Sequence, residues 1–234
     1  MADKPIAIVT GVGPGTGTAI VRRFAAEGFR VVALARSPER IRALEQELPD
    51  THAVICDVSS QSQVADVVAE IRKRYGAPSV LIHNAVGGGW GTFLEIEPQM
   101  LDRNFQVNVM GLLYLAREVA PDMIKAGKGT ILVTGNTSAI RGKANFAGFA
   151  PTKAAQRILS ESIARELGPR GIHVAYVLID AVIDVPRMRE RMPDAPNDFF
   201  IQPSAIADEL WHLHSQERSA WSFLTDLRPF REKW

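Results

Sequence analysis

The first strand-like run of the chain ends in TGVGPGTG, where Gly11, Gly15 and Gly17 are spaced G-x-x-x-G-x-G and a helical pattern follows at once. A turn without side chains lets backbone approach a diphosphate, and the first N–H groups of the following helix point at it. The spacing is informative because it follows a strand, opens a helix and lies in a βαβ unit, the setting a dinucleotide site requires; a tight turn with no ligand is the alternative. At the end of the second strand-like run, VVALARSPER, the acidic residue that would hold a ribose 2′-hydroxyl is missing, and Ala35 and Arg36 stand there instead. An arginine at that place accommodates a 2′-phosphate, so the expected cofactor is NADP rather than NAD; a solvated loop arginine is the competing reading. Asp57, in CDV, could accept the adenine amino hydrogens or cap the next helix. Further along, FAPTK sets Lys153 four residues after Phe149. An ammonium in a desolvated site can have its pKa pulled from about 10.4 towards neutrality, whereas the phenylalanine ring neither gives nor takes a proton.

These groups need a scaffold, and the apolar pattern supplies one. Short β-branched runs (PIAIVTG, FRVVALA, HAVICDV, SVLIHNA, GTILVTG, IHVAYVLI) alternate with longer helical patterns, followed by a less regular tail. Near-continuous apolar strands separated by helices indicate a parallel sheet covered on both faces. The expected fold class is therefore α/β: a doubly wound, mostly parallel sheet with helices on both faces, the Rossmann arrangement. No Pro/Gly/Ser-rich linker or charge block divides the chain, so residues 1–234 are read as a single dinucleotide-binding domain with a substrate lid around 182–202.

Composition narrows the partners. The 27 basic and 26 acidic side chains leave a net charge of +1, which gives no electrostatic reason to expect nucleic acid or an anionic membrane. No apolar run reaches the roughly 18 residues of a membrane span. The one cysteine, Cys56, cannot form an internal disulfide, and MADKPIAIVTG has no signal-peptide pattern, so the expected location is cytoplasmic. His212 and His214 are two apart and do not share a helix face, and no metal site is expected.

Taken together, TGVGPGTG, CDV at 56 to 58, HNA at 83 to 85, Asn108 in FQVNVMG, and Lys153 with its following helix resemble the short-chain dehydrogenase/reductase family, up to about Val185. The resemblance implies that Asp57 and Val58 flank the cofactor and that Asn84 steadies the sheet beside it, although the family's NN-A-G reads His83-Asn84-Ala85-Val86 here. It implies that Asn108 holds a water in a proton relay and that Lys153 binds the nicotinamide ribose. The family's Tyr-x-x-x-Lys is replaced by Phe149-x-x-x-Lys153. A serine is expected about 13 residues before the tyrosine; ungapped counting gives Asn136, with Thr137 and Ser138 just beyond, and Ser138 is the favoured hydroxyl. The P-G pair after the sixth strand is replaced by LIDAVID.

The resemblance further implies hydride transfer between NADP(H) and a small carbonyl, alcohol or C=C substrate. Losing general acid–base help costs about 10² to 10⁴ in rate, roughly 3 to 5 kcal/mol at about 1.4 per tenfold. Lys153 itself, a water between Asn108 and Lys153, or a relay through Thr137 or Ser138 could substitute. The alternative is a catalytically impaired NADP-binding sensor or regulator. Trp90, Phe93, Phe146 and Phe149 are candidates for an apolar pocket or for core. The helices around 98 to 126 and 149 to 167, with a stripe of Ile158, Ser162 and Leu167, would pair across a two-fold axis, so a homodimer or homotetramer is implied.

Overall fold

The computed structural model describes residues 4–232, so the two ends of the expected 1–234 unit lie outside the described residues. Strand β1 (Ile6–Thr10) is buried along its whole length. It pairs in parallel with β2 (Arg30–Ala35) on one side and with β4 (Val80–His83) on the other, and β2 pairs with β3 (Thr51–Ile55). From β4 the sheet grows the other way, through β5 (Gly129–Asn136) to β6 (Ile172–Ile179) and β9 (Leu224–Leu227), again in parallel. The order β3-β2-β1-β4-β5-β6-β9 makes a seven-stranded parallel sheet that reverses direction between β1 and β4. This is the Rossmann arrangement expected from the alternating pattern. The last strand lies in the tail that reads as irregular, and none of its four residues is fully buried, as suits an edge.

The inner strands β1, β2, β4 and β6 are apolar on both faces because both faces are covered. Ile6 and Ile8 of β1 enter one core; Ala7 and Val9 enter the other. The first core is closed by α3 (Gln61–Tyr75) and α5 (Gly111–Ala126), the second by α1 (Thr16–Ala26), α2 (Pro38–Glu47) and α8 (Pro203–His214). At about 25 cal/mol per Å², burying each large aliphatic side chain contributes roughly 1.5–3 kcal/mol before ordering costs.

Two helical expectations change. The span expected as one helix from 98 to 126 is α4 (Pro98–Phe105), a π-turn over Gln106–Met110, and then α5. The wider turn carries Asn108. The helix that carries Lys153, α6, runs Ala150–Leu167, with Phe149 as its N-terminal cap residue. Its supposed stripe does not hold: Ile158 is exposed while Leu167 is in the core. Nine residues along a helix bring the chain half a turn round, so the two sit on opposite faces.

The expected lid coincides with a small second sheet. Strands β7 (Val182–Ile183) and β8 (Phe200–Ile201) pair in parallel and tie off the segment between them, which contains α7 (Pro186–Arg191). Asp184 receives both Nε and Nη2 of Arg189, at 2.7 and 2.8 Å, and Nε2 of Gln202 at 2.7 Å. The Arg189 bonds, then the Gln202 bond, lower the Asp184 carboxyl to about 2. No helix among the described residues is long and apolar enough to cross a membrane.

Gly135 tests the packing most severely, because a Cβ there would overlap the buried ring of Tyr176 on the neighbouring strand. Gly135→Ala is expected to lower stability by about 1–3 kcal/mol, the usual cost of overpacking a core. Urea denaturation checks this; an unchanged midpoint contradicts it.

Candidate active site

The C-terminal ends of the parallel strands open into one cleft of about 1490 Å³. Such a position, outside the strand ends at a reversal of strand order, is where open α/β sheets bind ligands. The loop after β1 forms its floor. Gly11 has φ +66, and a Cβ there would fall 2.5 Å from the Ala85 backbone; a Cβ on Gly17 would fall 2.5 Å from the Gly11 carbonyl. At Gly15 it would fall 2.6 Å from the Val185 side chain, so this glycine also makes room for the segment after β7. All three glycines line the cleft, as does Thr16, whose buried Oγ1 makes no hydrogen bond within the protein.

Arg36 lines the cleft just past β2. So does Arg40, in the first turn of α2, a partner that the VVALARSPER stretch contains but that the strand end alone does not reveal. Asp57 and Val58 lie beyond the end of β3 on the same wall. Asp57 Oδ1 accepts from Ser59 N at 3.0 Å and Ser59 Oγ at 2.7 Å, so the carboxylate shapes the turn before α3, whose cap residue is Ser60. Burial raises the Asp57 pKa, but the Ser59 bonds and the nearby Arg36 outweigh it and hold the group below its ordinary value.

Asn84 ties three elements together. Its Nδ2 donates to the Gly11 carbonyl at 2.9 Å, and its Oδ1 accepts from Thr134 Oγ1 of β5 at 3.0 Å. The backbone N–H groups of Asn84 and Ala85 both donate to Thr10 Oγ1, at 3.1 and 3.2 Å. The glycine loop is thus strapped to β4 and β5.

After β5, Asn136, Thr137 and Ser138 all face the cleft. Asn136 Oδ1 is occupied in accepting from Ser138 N at 3.1 Å, as cap of a short 3-10 turn. Among the aromatics, Trp90 and Phe146 line the cleft with ring centroids 4.5 Å apart. Phe93, 77% exposed, is not among the lining residues.

The other catalytic candidates stand one layer behind. Phe149 is 5% exposed and packs 5.6 Å from Trp90, behind the wall. Lys153 is 2% exposed; its Nζ donates to the Thr134 carbonyl at 3.1 Å and to Gln156 Oε1. Burial pulls this lysine down to about 7. Asn108 accepts from Gly87 N at 2.8 Å and donates to Gly87 O at 2.9 Å and Thr152 Oγ1 at 2.8 Å. Its side chain is therefore spent on holding the glycine run and α6. Asn108, Phe149 and Lys153 lie together behind the cleft, around a buried polar cluster and not on the open wall.

His83, a fully buried member of that cluster, is the residue that replaces the first asparagine of the family motif. Its Nδ1 lies 3.4 Å from Thr10 Oγ1. Its Nε2 is close enough to the Val107 and Asn108 carbonyls to feel them but lacks a well-formed bond. Burial first, and then the charge of Lys153, lower its pKa to about 3.

A parallel sheet with a glycine-walled cleft at its switch point is the architecture of a nucleotide-binding α/β protein. The chain belongs to the short-chain dehydrogenase family, whose model matches residues 5–194. It is similar to the sorbitol dehydrogenase of Cereibacter sphaeroides, 33% identical over 174 residues, 74% of this chain and 68% of that protein. A second relative is the cyclic-di-GMP-binding biofilm dispersal mediator protein of Escherichia coli (strain K12), 34% identical over 172 residues, 73% of this chain and 70% of that protein. Among solved structures, a metagenomic short-chain oxidoreductase in complex with NADP superposes with a TM-score of 0.84 at 28% identity, covering 97% of this chain and 98% of that one.

The His83 shift has a signed consequence. A base whose folded pKa lies near 3 against 6.5 unfolded costs nothing above pH 6.5, and destabilises the fold progressively as pH drops below it. By pH 4.5 the loss from this group is about 2–3 kcal/mol. Urea unfolding of wild type and His83→Asn at pH 7.5 and pH 4.5 should show a smaller acid loss in the variant. Equal losses would mean that His83 does not carry this penalty.

Proposed function

We propose that this protein is an NADP(H)-dependent oxidoreductase acting on a small carbonyl, alcohol or C=C substrate. The observation that carries the reading is the loop of Gly11, Gly15 and Gly17, where backbone at Gly11 and Gly17 and the Val185 side chain at Gly15 leave no space for a Cβ, at the sheet's switch point beside Arg36 and Arg40. The cleft fits a dinucleotide in three ways. Thr16 Oγ1 is a buried hydroxyl in want of a partner at a helix N-terminus. Arg36 and Arg40 present two guanidinium groups suited to a 2′-phosphate. Val58, Asn84 and Ala85 continue the wall towards the substrate end, where Ser138, Trp90 and Phe146 would meet the substrate.

When bound, the nicotinamide cofactor supplies or accepts the hydride. The protein's own residues must bind, orient and manage the proton. In this reading Ser138, with Thr137 beside it on the wall, supplies the hydroxyl that holds a substrate oxygen, and Asn136 caps the turn that carries both. Phe149 contributes apolar packing behind Trp90 and no proton. With a pKa near 7, Lys153 can hold or release a proton at neutral pH, but only from behind the wall. Homo-oligomerisation and a cytoplasmic setting are part of the same reading, supported by the family.

A second reading has a specific observation in its favour: with Phe149 and Lys153 both withdrawn from the cleft, the site retains the features of a dinucleotide receptor without an evident acid. A relative named for binding cyclic-di-GMP is consistent with a sensor.

The first measurement tests the cofactor assignment common to both readings, and the second separates them. NADPH should bind with a Kd on the order of micromolar, and Arg36→Asp should move the preference towards NADH; equal affinities for both nucleotides in the wild type would count against the assignment. Phe149→Tyr should raise ketone-reductase turnover by about 10²-fold, the low end of general acid help. No gain across a panel of ketones would favour the sensor.

A further inference from the structure

Behind the cleft, several polar groups converge on one carboxamide. Gln156, three residues beyond Lys153 on α6, is fully buried. Its Oε1 accepts from Lys153 Nζ and, at 3.3 Å, from the Tyr176 hydroxyl, while its Nε2 donates to the Asn108 carbonyl at 2.8 Å. Two donors face the oxygen and an acceptor faces the nitrogen, so only one orientation of the amide satisfies all three. The partners are held as firmly. Asn108 is clamped by Gly87 and Thr152. Tyr176 also lies 3.4 Å from the Lys153 carbonyl. A second acceptor, the Thr134 carbonyl, completes a dry socket around Nζ.

We propose that Gln156 is a positioning residue that stows Lys153 in a socket behind the cleft wall, so that the lysine must break from Gln156 before it can reach a dinucleotide. The proposal rests on the cleft being a dinucleotide site. The resemblance puts a water between Asn108 and Lys153; here the carboxamide spans the same two groups directly. The other titratable groups facing the lysine are His83 on β4 and Tyr176 on β6. Burial holds both neutral around pH 7, the first by lowering its pKa and the second by raising it. Lys153 takes part in no ion pair among the described residues, so Gln156 and Thr134 supply its neutral restraint, which exchange for a hydrated or hydroxyl-lined position could offset. Stowage lowers the apparent affinity of any ligand that needs the lysine in the cleft, by the fraction of molecules in which it is out.

Two opposed substitutions test this. Gln156→Met keeps the volume and removes both polar atoms; NADPH should bind about tenfold tighter, equivalent to about 1.4 kcal/mol. The Lys153 ¹³Cε resonance, titrated by NMR in the nucleotide-free protein, should move from near neutrality towards an ordinary lysine value of about 10.4. Gln156→Glu places a carboxylate against the ammonium and should weaken NADPH about tenfold. In a Lys153→Met background both effects should vanish. If Gln156 is merely structural, both substitutions weaken binding and do so in either background, which overturns the proposal. Should Gln156→Met fail to fold, Gln156→Glu in the two backgrounds decides it. If wild type binds no nicotinamide nucleotide, the dinucleotide reading fails by itself, and the socket is judged on the titration: an unmoved Lys153 resonance in a folded Gln156→Met or Gln156→Glu protein overturns it.

Discussion

Everything at the working end of this molecule depends on how closely backbone approaches backbone after the first strand. Gly11 turns in the left-handed region with no space for a Cβ against Ala85, and Gly17 in turn presses on the Gly11 carbonyl. An L-residue at Gly11 would be both strained and in collision. The sheet reverses between β1 and β4, and Asn84 fastens the loop to the returning half through the Gly11 carbonyl and Thr134. Loop, switch point and strap form one unit: moving any of them opens or closes the same cleft.

The strap also links the two polar regions of the site. Thr134 bonds Asn84 through its hydroxyl and Lys153 through its carbonyl, so the glycine loop and the buried cluster share one strand residue. Along that cluster the burden of satisfying buried polar atoms falls on side chains that would otherwise be free for chemistry. Asn108 spends its amide on Gly87 and Thr152, and Lys153 spends its ammonium on Thr134 and Gln156. Unmade hydrogen bonds in such a place cost roughly 1–3 kcal/mol each, which makes the withdrawn arrangement stable. The exception, His83 Nε2, is tolerated because the ring stays neutral.

Much of this was legible in the sequence, for stated physical reasons. Continuous apolar runs such as IAIVT require cover on both faces, and they received it. Glycine spacing after a strand marks close approach, and the three glycines lie where the motif puts them. What could not be read is side-chain direction within an element. The FAPTK spacing fixes neither where the Lys153 ammonium turns nor that Phe149 precedes the helix. Gln156 is one more polar residue on a helix until tertiary packing sets Tyr176 and Asn108 around it. The π-turn at Gln106–Met110 has no breaker residue to announce it, and β9 is too short and too half-buried to show a period. Arg40 was within reach, because it stands in the first turn of the helix that opens at Pro38, just after Arg36.

The most direct measurement is a crystal structure of the protein grown with saturating NADPH. The diphosphate should lie against the amides between Gly13 and Gly17 with Thr16 Oγ1 in contact, and the 2′-phosphate between Arg36 and Arg40. A nucleotide seated elsewhere, or a cleft without nucleotide at saturation, would contradict the assignment of this cleft as a dinucleotide site.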